Sequence, residues 1–194
     1  MNQDFPFLND DFEEIRDLLQ QFENLKSGQS HSFLDEDSFE LIIDYYDEHD
    51  ELPNAMQAAE IAIEQFPYSS TLLLKKANLL IESKKYQDAM DLLEKAAILD
   101  STDINLYILQ TDVYLAMNQH QKAAALLEEQ ISVFDGDDKT ELLLELADVY
   151  DDCEEFDKVF ECLKMTLEHA PNNEEALHKI CFWTEFTGRN EESI

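Results

Sequence analysis

The fold is decided by residues 70–103, STLLLKKANLLIESKKYQDAMDLLEKAAILDSTD. Within this stretch Ala89 lies 34 positions after Ala55 and 34 positions before Ala123, and the same column continues at Val159 and Ser193. A fixed period of about 20 to 50 residues is typical of stacked repeat proteins, in which each unit buries its face against its neighbours. The sequence therefore predicts a repeat protein that presents an extended surface rather than a catalytic centre.

Three columns of larger side chains keep the same period. They are Phe39, Leu73, Tyr107, Leu143 and Leu177; Tyr46, Leu80, Tyr114, Tyr150 and Thr184; and Leu52, Tyr86, His120, Phe156 and Asn190. Ala62 and Ala96 lie two helical turns beyond Ala55 and Ala89. Large side chains on one helix that face small ones on the next allow close packing of the two helices.

This order of large and small residues resembles the tetratricopeptide repeat family. The best matching set is Leu73, Ala77, Leu80, Tyr86, Ala89, Leu93, Ala96 and Asp100, followed by Leu143, Ala147, Tyr150, Phe156, Val159, Leu163 and Pro171. The departures are Ile43 at a small position, Gln130 and Thr166 where Ala is usual, and Lys76 and Gln110 in an apolar column. The resemblance implies an all-α fold, a right-handed superhelical solenoid of antiparallel helix pairs.

The expected domains are an N-terminal segment, residues 1–32, and a repeat array, residues 36–194. The array divides into units 36–69, 70–103, 104–139 and 140–173 and a partial fifth unit, 174–194. Residues 9–26 form an amphipathic pattern that Asn9 can cap and Gly28 can end. We interpret this helix either as a cap on the end of the array or as a detachable element that reaches a partner or the protein's own groove.

The sequence stops within the expected second helix of the fifth unit, at Glu191–Ile194. Phe182, Trp183 and Phe186 would then need cover from a longer parent chain or from another protein. The four residues that follow Phe134, Asp-Gly-Asp-Asp, are interpreted as the turn that absorbs the two extra residues between Ala123 and Val159.

Composition limits the function. Forty-five acidic residues against 13 basic ones give a net charge of −32, which excludes sequence-independent binding to nucleic acids and to anionic membranes. No stretch approaches the roughly 20 apolar residues of a membrane span, and the acidic start lacks the pattern of a secretory signal. We expect a cytoplasmic protein whose three cysteines are reduced and half-buried.

No catalytic or metal-binding motif is found. The nucleophile elbow, the phosphate-binding glycine loop, the zinc histidine pair and the calcium loop are all missing from the sequence. His120 replaces an aromatic residue of its column and is interpreted as a packing residue. We therefore expect no enzyme, no metal and no cofactor.

In the tetratricopeptide repeat family the concave groove is lined by positions 2, 5, 9, 12 and 13 of each first helix. Carried over to four units, these 20 positions hold eleven acidic residues and no Lys or Arg. The candidate peptide-binding groove consists of Glu40, Asp44, Leu74, Asn78, Ile81, Ile108, Asp112, Leu115, Leu144, Asp148 and Asp151. Its ends are acidic and its middle is apolar.

This pattern favours a non-catalytic interaction module, an adaptor, scaffold or co-chaperone-like protein, that binds a peptide or helix with apolar anchors and basic flanks. The alternative for the face itself is a solvated acidic surface with the partner docked elsewhere. Self-association into a homo-oligomer, or a role as the N-terminal regulatory domain of a longer protein, also stays open. Lys75 and Asn78 alone remain of the residues that hold a C-terminal carboxylate in some family members, so that mode is not expected.

Overall fold

The computed structural model describes residues 7–28 and 33–187, and the side chains of residues 15–28 and 33–183. These residues form ten α-helices and no strand. The helices are α1 (Phe7–Lys26), α2 (Glu36–Glu48), α3 (Leu52–Gln65), α4 (Ser70–Glu82), α5 (Tyr86–Leu99), α6 (Ile104–Ala116), α7 (His120–Ile131), α8 (Gly136–Asp152), α9 (Phe156–His169) and α10 (Glu174–Thr187). The chain divides into two compact units, Met1–Asp100 (unit A) and Ser101–Ile194 (unit B).

Each repeat is a pair of helices that pack against each other, α2 with α3 and α4 with α5 in unit A, and α6 with α7 and α8 with α9 in unit B. The predicted small column is buried, because Ala55, Ala89, Ala123 and Val159 all lie at the helix contacts with 1% or less of their surface exposed. The predicted column Leu52, Tyr86, His120 and Phe156 supplies the first residue of each second helix. Ser193 and Asn190, the last members of these columns, lie outside the described residues.

The first helices α2, α4 and α6 begin with side-chain caps, whereas α8 follows Asp135 without a side-chain cap hydrogen bond. Asp35 caps α2 by accepting a hydrogen bond from the Ser38 N–H at 3.0 Å, and Ser69 caps α4 by accepting from the Leu72 N–H at 3.1 Å. Asp103 caps α6 in the same way, from the Asn105 N–H at 2.9 Å. Each cap supplies an acceptor to a backbone N–H that has no partner inside its helix, so these polar residues fix where the helices start.

The second helices lack side-chain caps and follow a repeated left-handed turn instead. The turn residues Asp50, Lys84, Asn118 and Glu154 have φ between +57° and +59°. In each turn the next N–H donates to a carbonyl five residues back, for example Lys85 to Leu80 at 2.8 Å and Glu155 to Tyr150 at 2.9 Å. This is the Schellman arrangement, which satisfies the last carbonyl groups of the first helix and ends it.

Helix α1 packs on α2 in unit A. Phe22 is fully buried, with its ring 6.3 Å from that of Phe39 and 6.2 Å from that of Tyr46. The Tyr46 hydroxyl also forms a hydrogen bond with Glu23, and burial together with this carboxylate raises the pKa of Tyr46 to about 12. Gly28 follows the helix in a left-handed conformation at φ +66°, as its role at the helix end predicts.

The structure differs from the sequence interpretation at several places. Helix α1 begins at Phe7, so Asn9 lies inside it and is not its cap. Helix α8 begins at Gly136, so the two extra residues lengthen this helix instead of forming a longer turn. Cys153 and Cys181 are exposed and only Cys162 is buried. Residues 29–32 of the expected linker and the expected second helix at 191–194 lie outside the described residues.

Three residues that depart from the family pattern, Ile43, Thr166 and Lys76, each have a favourable environment in the structure. Ile43 is 2% exposed and packs in the core of unit A. Thr166 is fully buried, and its hydroxyl donates to the Cys162 carbonyl at 3.0 Å, which avoids the cost of an unpaired buried polar group. Lys76 lies 3.8 Å from Glu60, so its ammonium is paired although its column is usually apolar.

Candidate functional site

The predicted groove residues lie on the first helices of the pairs. In unit A they are Glu40 and Asp44 of α2 and Leu74, Asn78 and Ile81 of α4; in unit B they are Ile108, Asp112 and Leu115 of α6 and Leu144, Asp148 and Asp151 of α8. Ten of these eleven side chains are exposed or half-buried, whereas Leu74 is 6% exposed and belongs to the core. We call the remaining residues of unit A and unit B the first-helix faces, and describe each by itself.

On the first-helix face of unit A, a lysine is already bound. Lys75 Nζ lies 2.5 Å from Asp44 Oδ1, which joins α4 to α2. Burial raises the pKa of Glu40 and of Asp47, and the nearby Lys75 partly offsets this for both. Asp44 adds repulsion that raises the pKa of Asp47 further. Lys75 is therefore the positive centre of an acidic cluster.

The same arrangement recurs on the first-helix face of unit B. Lys179 of α10 lies 2.7 and 2.8 Å from the two oxygens of Asp148 and 2.7 Å from Glu175. In both units the lysine follows its aspartate by 31 residues, from Asp44 to Lys75 and from Asp148 to Lys179. Sequence reasoning overlooked these pairs because it compared only the five groove positions between repeats and considered Lys75, at position 6, only as a group that could hold a ligand's carboxylate. The repeated spacing of 31 is the signal that could have found them.

Asp112 occupies the position of Asp44 and Asp148 in its own repeat, but among the residues that the structure describes it has no lysine partner. Because of the two extra residues, position 6 of the next first helix is residue 145, which is a glutamate. Asp112 and Glu145 are both half-buried, and neither forms an ion pair with any side chain that the structure describes. Burial raises the pKa of both carboxyl groups, and repulsion from Asp112 and Asp148 raises that of Glu145 further.

An open cavity of about 540 Å³ lies beside this face in unit B. It is lined by Asp137, Thr140, Glu141 and Leu144 of α8 and by residues 170–173 between α9 and α10. Leu144 and Leu115 are half-buried and pack on the core of unit B. Apolar surface that remains accessible next to carboxylates can accept an apolar group of a ligand with a positive charge beside it.

His120 is the first residue of α7, and its side chain is half-buried. Its Nε2 lies 3.1 Å from Asn118 Oδ1, and its Nδ1 is buried without a hydrogen-bond partner among the described residues. Cys153 and His120 both line a second cavity of about 420 Å³.

Within residues 15–28 and 33–183, no group of three or more His, Cys, Asp or Glu side chains is placed so that it could hold a metal ion. None of the described helices is both long and apolar enough to cross a bilayer.

Comparison with known proteins agrees with this fold. Residues 80–139 match the tetratricopeptide repeat family. No curated protein matches the sequence. Among solved structures, the Thermus thermophilus protein TTC0263, a thermophilic tetratricopeptide repeat protein, is similar at 16% identity and a TM-score of 0.67, covering 86% of this chain and 88% of that one.

Two further structures share the fold. MamA is similar at 22% identity and a TM-score of 0.60, covering 81% of this chain and 85% of its own. YrrB, described as a tetratricopeptide repeat protein with an unusual peptide-binding site, is similar at 16% identity and a TM-score of 0.56, covering 91% and 87%. The paired helices, the buried small column and these likenesses define an all-α helical repeat protein of the solenoid class. The chain has the fold of tetratricopeptide repeat proteins, and residues 80–139 match that family's sequence pattern.

Proposed function

We propose that this chain is a non-catalytic protein–protein interaction module, an adaptor or scaffold, whose first-helix faces bind a peptide or helix with apolar anchors and basic flanks. The observation that carries the proposal is the surface of unit B, where half-buried Leu144 lines an open cavity together with Glu141, and half-buried Leu115 lies on the neighbouring first helix with Asp112. Apolar anchors supply affinity through buried area, and opposite charges supply specificity and fast association. A cytoplasmic location is part of this proposal.

Protein relatives of this fold support the class of ligand. YrrB is described as having a peptide-binding site, and its fold is shared by this chain. The chemistry of the ligand is inferred from this chain's own residues. A carboxylate-bearing ligand would meet Asp112, Asp148 and Asp151 on the face of unit B, with Lys179 already bound by two carboxylates.

The test is a peptide-display selection on the immobilised protein, followed by affinity measurements on the selected peptides. We expect sequences in which Leu, Ile or Phe anchors are flanked by Lys or Arg. We also expect an affinity that falls steeply as salt rises, because exposed charges are screened beyond about 8 Å at physiological ionic strength. Leu144→Gln should weaken binding about tenfold or more, because a buried leucine contributes about 1.5–3 kcal/mol.

Leu126→Gln is the matched control. Leu126 is also half-buried in unit B but lies on the second helix α7, away from the first-helix face. Peptides that bind wild type and Leu144→Gln equally well, or an affinity that does not depend on salt, would refute the proposal.

Self-association is the second candidate, and one observation favours it. Helix α10 exposes 42% of Leu177 and 59% of Phe182. If this surface pairs with a second copy, the molar mass in solution rises with protein concentration, and Leu177→Gln suppresses the rise. A mass that stays at one chain's value, 22.6 kDa, over the accessible concentration range would exclude this candidate.

A further inference from the structure

We propose that Asp112 and Glu145 form a socket for one arginine or lysine side chain of the partner. The inference rests on the proposed function and deepens it, because it names the ligand group that the first-helix face of unit B recognises and the two residues that bind it. At this socket the protein supplies two carboxylates, and the partner would supply the positive charge.

The internal comparison of repeats carries the argument. Aspartates at the same position, Asp44 and Asp148, each bind the ammonium of a lysine that lies at position 6 of a neighbouring first helix. The distances are 2.5 Å and 2.7 Å, so the position is built to hold a cation. At Asp112 the neighbouring position holds Glu145, and α6 and α8 pack directly against each other. This repeat thus keeps the aspartate and has a second carboxylate where the other two have a lysine.

Burial makes the empty arrangement unfavourable. Asp112 and Glu145 are half-buried, where two like charges repel each other more strongly than in bulk water. Lys179 lies near Glu145 and weakens this repulsion, but it is held at 2.7 Å by both Asp148 and Glu175. Glu141 and Asp148 add further negative charge. An incoming cation would therefore relieve repulsion as well as form new hydrogen bonds.

The surroundings fit a long basic side chain. Leu115 of α6 and Leu144 of α8 are half-buried residues on the two helices that carry Asp112 and Glu145. Apolar surface of this kind packs against the methylene stem of lysine or arginine while the charged end meets the carboxylates. Two carboxylates also match the planar, forked guanidinium, so arginine should bind more tightly than lysine.

The experiment uses two synthetic peptides of leucine and serine that form an amphipathic helix, one with a single central arginine and one with citrulline at that position. Citrulline keeps the shape of arginine and removes its charge. We expect the arginine peptide to bind wild type at least about tenfold more tightly than its citrulline twin, as for a charge-assisted hydrogen bond in a half-buried site.

Glu145→Lys should abolish this preference, because the new lysine restores the pair that the other two repeats form with their aspartates. The same substitution should raise the melting temperature, and Glu145→Gln should raise it less. Glu94→Lys is the matched control: it makes the same charge change at an exposed position of α5 and should keep the preference for arginine.

Equal affinity of the two peptides for wild type overturns the inference, and so does a preference that survives Glu145→Lys. If Glu94→Lys removes the preference as completely as Glu145→Lys does, net charge alone is responsible and the socket is again refuted. The proposed function is judged separately, by Leu144→Gln and by the salt dependence of the selected peptides, so that failure of the socket leaves it standing.

Discussion

The lysine side chains on the first-helix faces form ion pairs with carboxylates of the protein itself. Lys75 lies among Glu40, Asp44 and Asp47, and its positive charge acts on the pKa of two of these three carboxyl groups. In a chain with a net charge of −32, each cation placed among carboxylates reduces repulsion inside the fold. The lysines on these faces therefore stabilise the fold by reducing repulsion between the acidic residues around them.

Removal of Lys75 tests this role. Lys75→Met keeps the length of the side chain but leaves Asp44, Glu40 and Asp47 without their nearest cation. We expect the free energy of unfolding to fall by about 1 kcal/mol, at the upper end for a partly exposed ion pair. Urea denaturation at low salt measures it. Lys95→Met, on the exposed side of α5, makes the same change in net charge and should leave stability nearly unchanged; equal losses in both variants would show that the ion pair contributes nothing.

The socket of Asp112 and Glu145 is also a feature of single residues. It was not predictable from the groove positions alone, because Asp112 occupies the same repeat position as Asp44 and Asp148 and differs from them only in the residue at position 6 of the next first helix. That neighbour is shifted to residue 145 by two extra residues, which lengthen α8 at its start. A comparison of position 6 between the repeats would have shown that Asp44 and Asp148 each have a lysine 31 residues later and that Asp112 does not.

At the scale of the elements, the turns between paired helices have the same left-handed backbone conformation in each repeat, and none of them uses glycine at the left-handed position. Each turn needs one left-handed residue, and the chain places Asp50, Lys84, Asn118 and Glu154 there at intervals of 34, 34 and 36 residues. A left-handed conformation costs about 1–2 kcal/mol for most residues and less for Asn or Asp. The backbone hydrogen bonds of the turn offset this cost.

Glycine substitution in these turns should therefore stabilise the protein. We expect Lys84→Gly and Glu154→Gly each to raise the free energy of unfolding by about 0.5–1 kcal/mol, since relief of strain exceeds the entropy cost of glycine. Asn118→Gly should gain less. The control is Lys85→Gly, the next residue along the chain, whose φ of −93° offers glycine no advantage. Loss of stability in both Lys84→Gly and Glu154→Gly would contradict this explanation of the turns.

Helix α1 is the other element whose role can be tested. We propose that it caps the repeats of unit A, since its Phe22 is buried against Phe39 and Tyr46. Phe22→Ala should lower the free energy of unfolding by about 3–5 kcal/mol, as for other buried phenylalanines, and deletion of residues 1–30 should cause aggregation. Phe33→Ala removes a ring that is 74% exposed and serves as the control. Unchanged melting and solubility after the deletion would favour the alternative, a detachable element.

Much of the architecture was predictable from the sequence, and specific residues show why. A buried small residue such as Ala89 tolerates few replacements at a helix contact, so its column kept its period through four repeats. Leu74 is more buried than its predicted groove position suggests, because the period shows which side of a helix is buried but not how far burial extends round it. That extent depends on the tilt between neighbouring helices, which no single position encodes. The start of α8 was missed for a related reason, since Asp-Gly-Asp-Asp suits a turn and a helix start equally well.

At the scale of the whole molecule, charge is the dominant property. Burial raises the pKa of Glu40, Asp47, Glu82, Asp112, Glu145 and Asp151, and neighbouring carboxylates add to the effect for all of these except Asp112. Asp35 behaves in the opposite way, because its hydrogen bonds with Ser38 lower its pKa. The free energy of unfolding should therefore depend on pH through the carboxyl groups whose pKa is raised.

The sign of the pH dependence follows from these shifts. A carboxyl group whose pKa is raised by folding binds more protons in the native state than in the unfolded state, at pH values between the ordinary pKa of 3.8–4.5 and the raised one. Stability contributed by these six groups therefore rises as pH falls from 7 through that window. We expect a higher urea midpoint at about pH 5 than at pH 7, and a smaller difference in high salt. A midpoint that falls steadily from pH 7 to pH 5 would contradict the assignment.

The most direct test of the account is the affinity of a display-selected peptide for wild type and for Leu144→Gln at about 50 mM and about 500 mM salt. If the first-helix faces bind basic-apolar segments, wild type binds the peptide tightly at low salt and much more weakly at high salt, and Leu144→Gln binds it about tenfold more weakly than wild type at low salt. An affinity that is the same at both salt concentrations and in both proteins would show that the partner docks elsewhere and that the acidic face is solvated surface.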